Sequence, residues 1–404
     1  MAKTLLIISG GVEAVPGIQH ARKMGYKVVV SDGNPNAPGF KYADYNIIAS
    51  TYDIDETIKE VIKFNKNVRK INGVICIASD VPLTVASVSH ELNLPSIPIR
   101  SALLAIDKYD MKNNFSKFNI PIPDYVRLNT LDDLINIIKK WGYPIIIKPV
   151  DNRGARGVLR ITKDINLKWA WEHSRDNSPT GRVMAEKYLD GIQVSTESII
   201  LDGKCYTVGF ADRNYEFLDK YSPYVIENGG DLPSNLSIKL QKEVKSIISK
   251  AAYSMGVTNG VVKGDIVINN GKPYIIELAT RLSGGYFCTH EIPLNTGVDF
   301  VGNAIKIALD EHVSSDDLKP KFNRYISQRY IFPKKGIIKN ITGLDKLKNN
   351  PDVKYFNIHV KLGEKIGETI SHPSRAGMVI TSGTSRENSI DNANKALKMI
   401  RITY

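Results

Sequence analysis

A lysine that closes an apolar strand and is followed at once by a glycine-rich loop can hold phosphate. Lys148 ends the run Tyr143-Pro144-Ile145-Ile146-Ile147-Lys148, and Asp151-Asn152-Arg153-Gly154-Ala155-Arg156-Gly157 comes just after it. A strand-end ammonium reaches into a cleft, and such a loop can fold its backbone N–H groups around phosphate oxygens. Lys108, directly after Asp107, adds a second ammonium from the preceding element. A strand-end lysine alone is usually a solvated charge. The adjoining loop is what singles out Lys148.

Asp265 and Glu277 lie twelve residues apart on two runs joined by Asn269-Asn270-Gly271. Asn and Gly tolerate the positive φ of a tight hairpin turn. A hairpin of that length returns the chain so that both carboxylates project from one face. Hard oxygen donors of this kind suit Mg²⁺, which also takes nucleotide phosphates to complete its octahedron. Two exposed strand-edge acids would read the same way, but Glu277 is flanked by Ile275, Ile276 and Leu278. An acid inside an apolar run needs a partner. Arg281 and Ser283-Gly284-Gly285 follow directly. A weaker signal is Met184-Ala185-Glu186-Lys187-Tyr188-Leu189-Asp190-Gly191. Its backbone amides could meet an adenine edge while an acidic side chain takes the amino group or a ribose hydroxyl.

These residues need elements to position them. Residues 1–105 alternate short apolar strands (4–9, 27–31, 73–78) with helical patterns (16–24, 54–64, 83–92). Alternation of this kind indicates parallel βαβ units and a doubly wound α/β sheet. The loop Ser9-Gly10-Gly11 and the strand-end Asp32 sit where a dinucleotide enzyme places its ligands. The spacing is not GxGxxG, since Glu13 and Val15 occupy that motif's positions. A strand-end turn needs glycine for backbone reasons alone, so a Rossmann-like layer without a nicotinamide is expected. Residues 106–312 read as α+β, with strands at 145–147, 195–201, 265–268 and 274–278 and helices at 238–255 and 298–309. A polar link at 314–319 leads into 313–404, a small α+β region with strands near 324–331 and 353–360 and a last helix at 389–400.

Composition narrows the class. A 42% hydrophobic, 24% charged chain of 404 residues has the balance of a multidomain globular protein. No apolar run approaches the ~18 residues of a membrane span. The apolar stretch of the opening MAKTLLIISGG is too short for a signal peptide, so a cytoplasmic protein with no membrane partner is expected. Cys76, Cys205 and Cys288 are scattered, which suits reduced structural thiols. The net charge of +12 is spread along the chain without an aromatic-interleaved basic stripe. That disfavours nucleic acid and favours a small anionic substrate such as a nucleoside triphosphate.

Taken in order, these pieces resemble the ATP-grasp superfamily, most closely its biotin carboxylase and L-amino acid ligase branches. The resemblance spans the chain as a Rossmann-like front domain, the ATP-grasp domain and a small C-terminal domain. It makes Lys108 and Lys148 the nucleotide-binding lysines, and residues 152–157, with Gly154, Arg156 and Gly157, the mobile triphosphate loop. Glu186, Lys187 and Leu189 become the adenine-binding hinge, Asp265 and Glu277 the ligands of Mg²⁺ (or Mn²⁺), and Arg281 the group that holds substrate or intermediate. Residues 336–363 and Arg375-Ala376-Gly377-Met378-Val379 resemble the terminal domain of the amino acid ligases. The family often has an asparagine two residues after the second carboxylate, where this chain has Ala279.

The implied activity is that of an ATP-dependent ligase joining a small carboxylate to an amine through an acyl phosphate, with Arg281 and Lys148 in catalysis. A homodimer is the assembly the resemblance implies. A phosphotransferase of the same fold, a nucleotide-binding protein without turnover and a nicotinamide oxidoreductase are the competing readings. The substrate pocket is expected to take Arg281, residues 283–286, His290 and Glu291, with Gly10 and Asp80 from the front domain. His290 and Glu291 do not pair, because neighbours on a helix do not face each other.

Overall fold

The computed structural model describes residues 2–404. Its front layer is a parallel sheet of β1 (Thr4–Ile8), β2 (Lys27–Asp32), β3 (Tyr45–Ile48) and β4 (Gly73–Cys76), in the order β3-β2-β1-β4. Every residue of β1 is buried, as in a parallel strand covered on both faces. The expected helices form at Val15–Lys23, Ile54–Asn67 and Pro82–Glu91. The second begins where the Asp53 side chain accepts from the Glu56 N–H at 2.9 Å, satisfying a donor that the helix leaves free. Strand β3 is a four-residue edge with only Ile47 buried, too short for the alternation that marks a strand.

The next layer is a small antiparallel sheet of β5 (Tyr125–Leu128), β6 (Ile145–Pro149), β7 (Leu159–Ile161) and β8 (Val183–Lys187), ordered β5-β8-β6-β7. Helices Leu131–Trp141 and Leu167–Asp176 cover one face, closing a core of Leu134, Ile138, Ile145, Ile147 and Trp171. A capping box between Thr130 and Asp133 starts the first of these helices. The opposite face of this sheet is left to the site.

The large sheet has eight strands. Its first six in chain order are β9 (Ile192–Leu201), β10 (Lys204–Arg213), β11 (Gly230–Leu232), β12 (Gly260–Asn269), β13 (Lys272–Ala279) and β14 (Tyr325–Ile331). In space they run β13-β12-β9-β10-β11-β14, followed by Gly377–Gly383 and Val353–Ile358. The β12–β13 hairpin turns on Asn270 and Gly271, both at positive φ (49° and 73°), as a two-residue turn matched to strand twist requires. Helix Ile238–Met255 lays Val244, Ile248, Ala251 and Met255 against Val262, Ile266 and Leu278, a stripe at helical spacing.

The sheet continues across residue 313. Strand β11 pairs with β14 through Asp231↔Ser327 and Leu232↔Ile326, so the last ninety residues extend the large sheet. The final helix runs Arg386–Met399, three residues ahead of expectation, because the Ser385 side chain caps it by accepting from the Asn388 N–H. Among the described residues, no helix is long and apolar enough to cross a membrane.

Candidate active site

A cavity of about 730 Å³ opens where the front sheet, the small sheet and the large sheet meet. Strand β6 shows how the sequence aims at it. Ile145 and Ile147 enter the small-sheet core, while Ile146 and Lys148 line the cavity, the alternation a strand imposes. Glu186 stands opposite Ile146 in the β6–β8 register and lines the same wall.

Glu186 is 2% exposed. Its Oε1 lies 2.8 Å from Lys148 Nζ and 3.1 Å from Lys112 Nζ. Burial acts to raise this carboxyl, but the two ammonium groups outweigh it and hold Glu186 below its ordinary range. Lys112 is fully buried and also donates to the Ile275 carbonyl at 3.1 Å. It thereby ties β8 to the metal-side strand β13. Burial pushes the Lys112 ammonium down to about 8, Glu186 opposing and Lys148 assisting. Sequence reasoning missed Lys112. Its signal was the four-residue spacing from Lys108, which places both on one face of helix Lys108–Lys117.

Lys108 opens that helix, capped by Asp107, whose Oδ1 accepts from the N–H groups of Tyr109 and Asp110 at 3.0 and 2.9 Å. Lys108 Nζ donates to the Asn152 carbonyl at 2.7 Å and lies 3.3 Å from Glu277 Oε1. One ammonium thus bridges the glycine-rich loop and the carboxylate strand. In the loop, Gly154, Ala155 and Gly157 take φ of 63°, 59° and 72°. A Cβ on Gly157 would come within 2.6 Å of Asn177 Cβ and 2.8 Å of Pro149 Cγ, so no side chain fits there. Arg156 is exposed and bonds back to the Arg153 carbonyl at 3.3 Å. Arg153 stacks over the Tyr52 ring of the front domain at 4.1 Å.

Asp265 and Glu277 are direct partners in the β12–β13 register. A bulge follows at once, where Ile266 pairs with Ile275. The extra residue lets Ile276 and Glu277, neighbours that a regular strand would send to opposite faces, both line the cavity. Asp265 Oδ1 accepts from Ser195 Oγ at 2.8 Å, and its Oδ2 pairs with Lys263. Burial works to raise Asp265, but Lys263 and then Arg213 outweigh it, holding the carboxyl at about 2. Lys263 lies two residues before Asp265 on the same strand face, a second lysine that sequence reasoning missed.

Arg281 Nε donates to Asp80 Oδ1 at 2.6 Å across the junction with the front domain. Burial would raise Asp80, and Arg281 more than offsets it. The expected front-domain residue Gly10 is absent from the cavity wall. Its N–H goes to Asp32 Oδ2 at 2.8 Å, and a Cβ there would lie 2.9 Å from Val30 Cγ1. Its glycine serves packing, and Ser9, Gly11 and Glu13 line the cavity in its place. Tyr286, His290 and Glu291 also lie behind the wall, because the chain turns into the core after Gly285 as a short π-helix, Phe287–Glu291. His290 packs against the rings of Tyr286 and Tyr355 and is pushed down to about 4 by burial.

The hinge segment also lines the cavity through Glu186, Lys187, Tyr188 and Leu189. The Lys187 N–H is tied to the Asp124 carbonyl at 2.9 Å. The wall that sequence reasoning missed altogether comes from the C-terminal region: His359, His372 and Arg375, beside Tyr330, Arg213 and Glu227.

Among the described residues, no three His, Cys, Asp or Glu side chains converge as a metal cage. Two paired carboxylates with a lysine on each suit an ion that draws its other ligands from phosphate and water, as Mg²⁺ does. Ala279 lines the same cavity and brings no oxygen.

Known proteins resemble the chain in sequence and in fold. Residues 107–315, just over half of the chain, match the family model "Carbamoyl-phosphate synthase L chain, ATP binding domain", and residues 329–404 match "L-amino acid ligase C-terminal domain 2". A curated relative, the carbamoyl phosphate synthase large chain of Buchnera aphidicola subsp. Acyrthosiphon pisum (strain APS), is 24% identical over 76% of this chain, which spans only 28% of that protein's length. The crystal structure of L-amino acid ligase from Bacillus licheniformis superposes with a TM-score of 0.83 at 21% identity, covering 100% of this chain and 98% of that one. The biotin carboxylase domain dimer of Hydrogenobacter thermophilus 2-oxoglutarate carboxylase, solved with MgADP, ADP and bicarbonate, gives 0.76 at 19% identity, with 100% and 91% covered. These two likenesses establish the shared fold. With its lysines, glycine-rich loop and paired carboxylates on the segment that the larger family model matches, the chain belongs to the carbamoyl-phosphate synthase L chain ATP-binding domain family, within the ATP-grasp superfamily.

Proposed function

We propose that this protein is an ATP- and Mg²⁺-dependent ligase that activates a small-molecule carboxylate as an acyl phosphate and transfers the acyl group to an amine, releasing ADP and phosphate. The reading rests on one observation above all. Asp265 and Glu277 face each other in register while Lys108 reaches both Glu277 and the glycine-rich loop. The names of the relatives, a carbamoyl phosphate synthase and an L-amino acid ligase, point the same way.

In this reading the triphosphate lies under residues 152–157, including Gly154, Arg156 and Gly157, with Lys108 and Lys148 against its oxygens. Lys187 and Leu189 border the adenine, and Glu186 fixes Lys148 in place. Asp265 and Glu277 hold Mg²⁺, which when bound neutralises phosphate charge and orients the γ-phosphoryl group. The substrate carboxylate attacks that phosphorus, the bond to ADP breaks, and the amine then displaces phosphate with loss of a proton. Arg281 steadies the reacting carboxylate. Catalysis is positioning and charge neutralisation, and the closed loop keeps water from the acyl phosphate. We place the three functional parts at 1–105, 106–312 and 313–404, expect the enzyme in the cytoplasm, and expect a homodimer, which sedimentation would test.

The direct test is ADP release with ATP, Mg²⁺ and pooled carboxylates, with and without pooled amines. Glu277→Gln should reduce carboxylate-stimulated release by roughly 10²–10³-fold, the scale of losing one preorganised electrostatic group. A phosphorylated product accumulating without any need for amine would replace the ligase with a phosphotransferase.

A further inference from the structure

A second cavity, of about 450 Å³, lies behind Arg281. The segment Thr280-Arg281-Leu282 is the partition between the two cavities. Arg281 lines both, Thr280 and Leu282 line only the second, and Ala279 and Ser283 line only the first. The other walls come from β4 at the edge of the front sheet, from the adjacent ends of β9 and β12, and from helix Phe300–Ala308. The partition is tied on each side of the arginine's neighbours. The Ala78 N–H donates to the Leu282 carbonyl at 3.1 Å, and the Ser283 N–H donates to Glu197 Oε1 at 2.8 Å.

The interior of this cavity is apolar, with Val74, Val261, Leu282, Ala304 and Val313 all buried. Burial pushes the Cys76 thiol up to about 12, so it adds a neutral surface. One polar atom interrupts the lining. Thr280 is 7% exposed, and its Oγ1 has no hydrogen-bond partner among the described residues. A buried hydroxyl without a partner is costly, and a bound group can satisfy it. The nearby charges restrict what that group is. Arg281 is paired with Asp80 at 2.6 Å, and Glu311 with Lys3 at 3.2 Å. Asp202 and Asp310 are exposed at the mouth and form no ion pair among the described residues. Even a protonated His312 beside them would leave the mouth negative. An anion is therefore repelled at the mouth, and the Arg281 guanidinium next to Thr280 repels an ammonium from the interior. An uncharged group remains.

We propose that the second cavity is an effector site for a small uncharged molecule, with an apolar body and one carbonyl or hydroxyl that bonds to Thr280. An apolar cavity of roughly 150 Å³ already admits benzene, so this one has room for a ring and its substituent. Thr280 and Leu282 flank Arg281 in the chain, and an occupant bears on the backbone that carries the guanidinium. By linkage, the occupant and whatever Arg281 holds change each other's affinity by the same factor. Binding in the cavity is independent of the ligase reading. Only its coupling to the activated carboxylate rests on that reading.

The test uses the full-length protein with MgADP and titrates benzamide, toluene, benzylamine and benzoate by ligand-observed NMR. Benzamide should bind saturably and at least about fivefold more tightly than toluene, the scale of one hydrogen bond, and both charged probes should be weaker than benzamide. Ala308→Phe puts a ring into the cavity and should abolish benzamide binding. Thr280→Val keeps the shape without the hydroxyl and should weaken benzamide to the level of toluene. It should also leave the free protein at least as stable as the parent, because an unpartnered hydroxyl is gone. With MgATP and an accepted carboxylate, saturating benzamide should shift the carboxylate KM by about fivefold, and should not do so in Ala308→Phe. No saturable binding by any probe, or benzamide binding that both variants leave unchanged, would overturn the site. A less stable Thr280→Val would show that the hydroxyl is already partnered and overturn its role. Benzoate binding as tight as benzamide's and abolished by Ala308→Phe would overturn the uncharged assignment. Binding without a KM shift would overturn the coupling. Benzamide binding in a protein that releases no ADP with any carboxylate would support the site and overturn the ligase reading alone.

Discussion

Glu186 and Glu291 are both buried, 2% and 0% exposed, and their carboxyls move in opposite directions. Glu186 stands on the cavity wall with two ammonium groups within 3.1 Å and stays below its ordinary range. Glu291 lies in the core behind that wall, neither oxygen has a hydrogen-bond partner among the described residues, and burial pushes it up to about 8. The removal from water is the same in each case. What differs is whether the fold supplies opposite charge, because a buried carboxylate either finds a cation or takes up a proton. The wall of the site is built to keep charge, and the core behind it to suppress charge.

The largest effect should come from breaking the charged region. Glu186→Ala leaves the ammonium groups of Lys112 and Lys148 buried together without their carboxylate. Removing one partner of a buried ion pair costs roughly 3–5 kcal/mol, and urea denaturation at pH 7 should show a loss of that size. ATP affinity should fall as well, since Lys148 loses the group that fixes its position. A loss below about 1 kcal/mol would mean that the two lysines reach solvent, and the contrast with Glu291 would collapse.

The opposite result is expected in the core. A folded-state pKa raised from 4.5 to about 8 gives Glu291 a stability contribution that is full below about pH 4.5. It is lost as pH rises through about 8, because the unfolded chain ionises first. Glu291→Gln imitates the protonated acid and should abolish this dependence. The variant should match the parent near pH 4.5 and exceed it by on the order of 5 kcal/mol at pH 8–9, read as a melting-temperature difference that grows with pH. A variant less stable than the parent at pH 8 would show that Glu291 is ionised and paired.

How much of this was legible beforehand follows from which interactions are local. The hairpin could be read from its two-residue Asn-Gly turn, but that turn's register alone sets Asp265 opposite Ile276, and the bulge beside Ile266 is what brings Glu277 opposite Asp265. Lys148 could be read because one strand sends alternate residues to alternate faces. Arg375 could not, since it meets Glu227 only when β14 and Gly377–Gly383 add to a sheet that begins at Ile192. Gly10 points to the cavity in the sequence alone, because a strand-end glycine looks the same whether it clears space for a ligand or for Val30. The spacing rule rightly kept His290 and Glu291 apart, but nothing in the spacing shows that the chain dives into the core after Gly285.

The smallest effect sharpens the comparison from inside the charged region. Lys112→Met removes one of the two cations on Glu186 and keeps most of the side-chain volume. Lys148 remains 2.8 Å from the carboxylate, so Glu186 stays ionised and the loss at pH 7 should be about 1–2 kcal/mol, near that of a charged hydrogen bond. The size of this loss should depend on pH. Lys112 titrates at about 8 when folded and at 10.5 when unfolded, so between those values the unfolded chain binds the extra proton and the parent gains stability as pH rises. The variant has no such gain, and its deficit should widen from pH 8 to pH 10. Because Lys112 also holds the Ile275 carbonyl at 3.1 Å, it acts as a strut between the nucleotide wall and the carboxylate strand. Its loss should raise the KM for ATP by several-fold with a smaller change in kcat. A deficit that instead shrinks above pH 8 would show that the ammonium is stabilised by its surroundings, and that the wall favours the second cation rather than tolerating it.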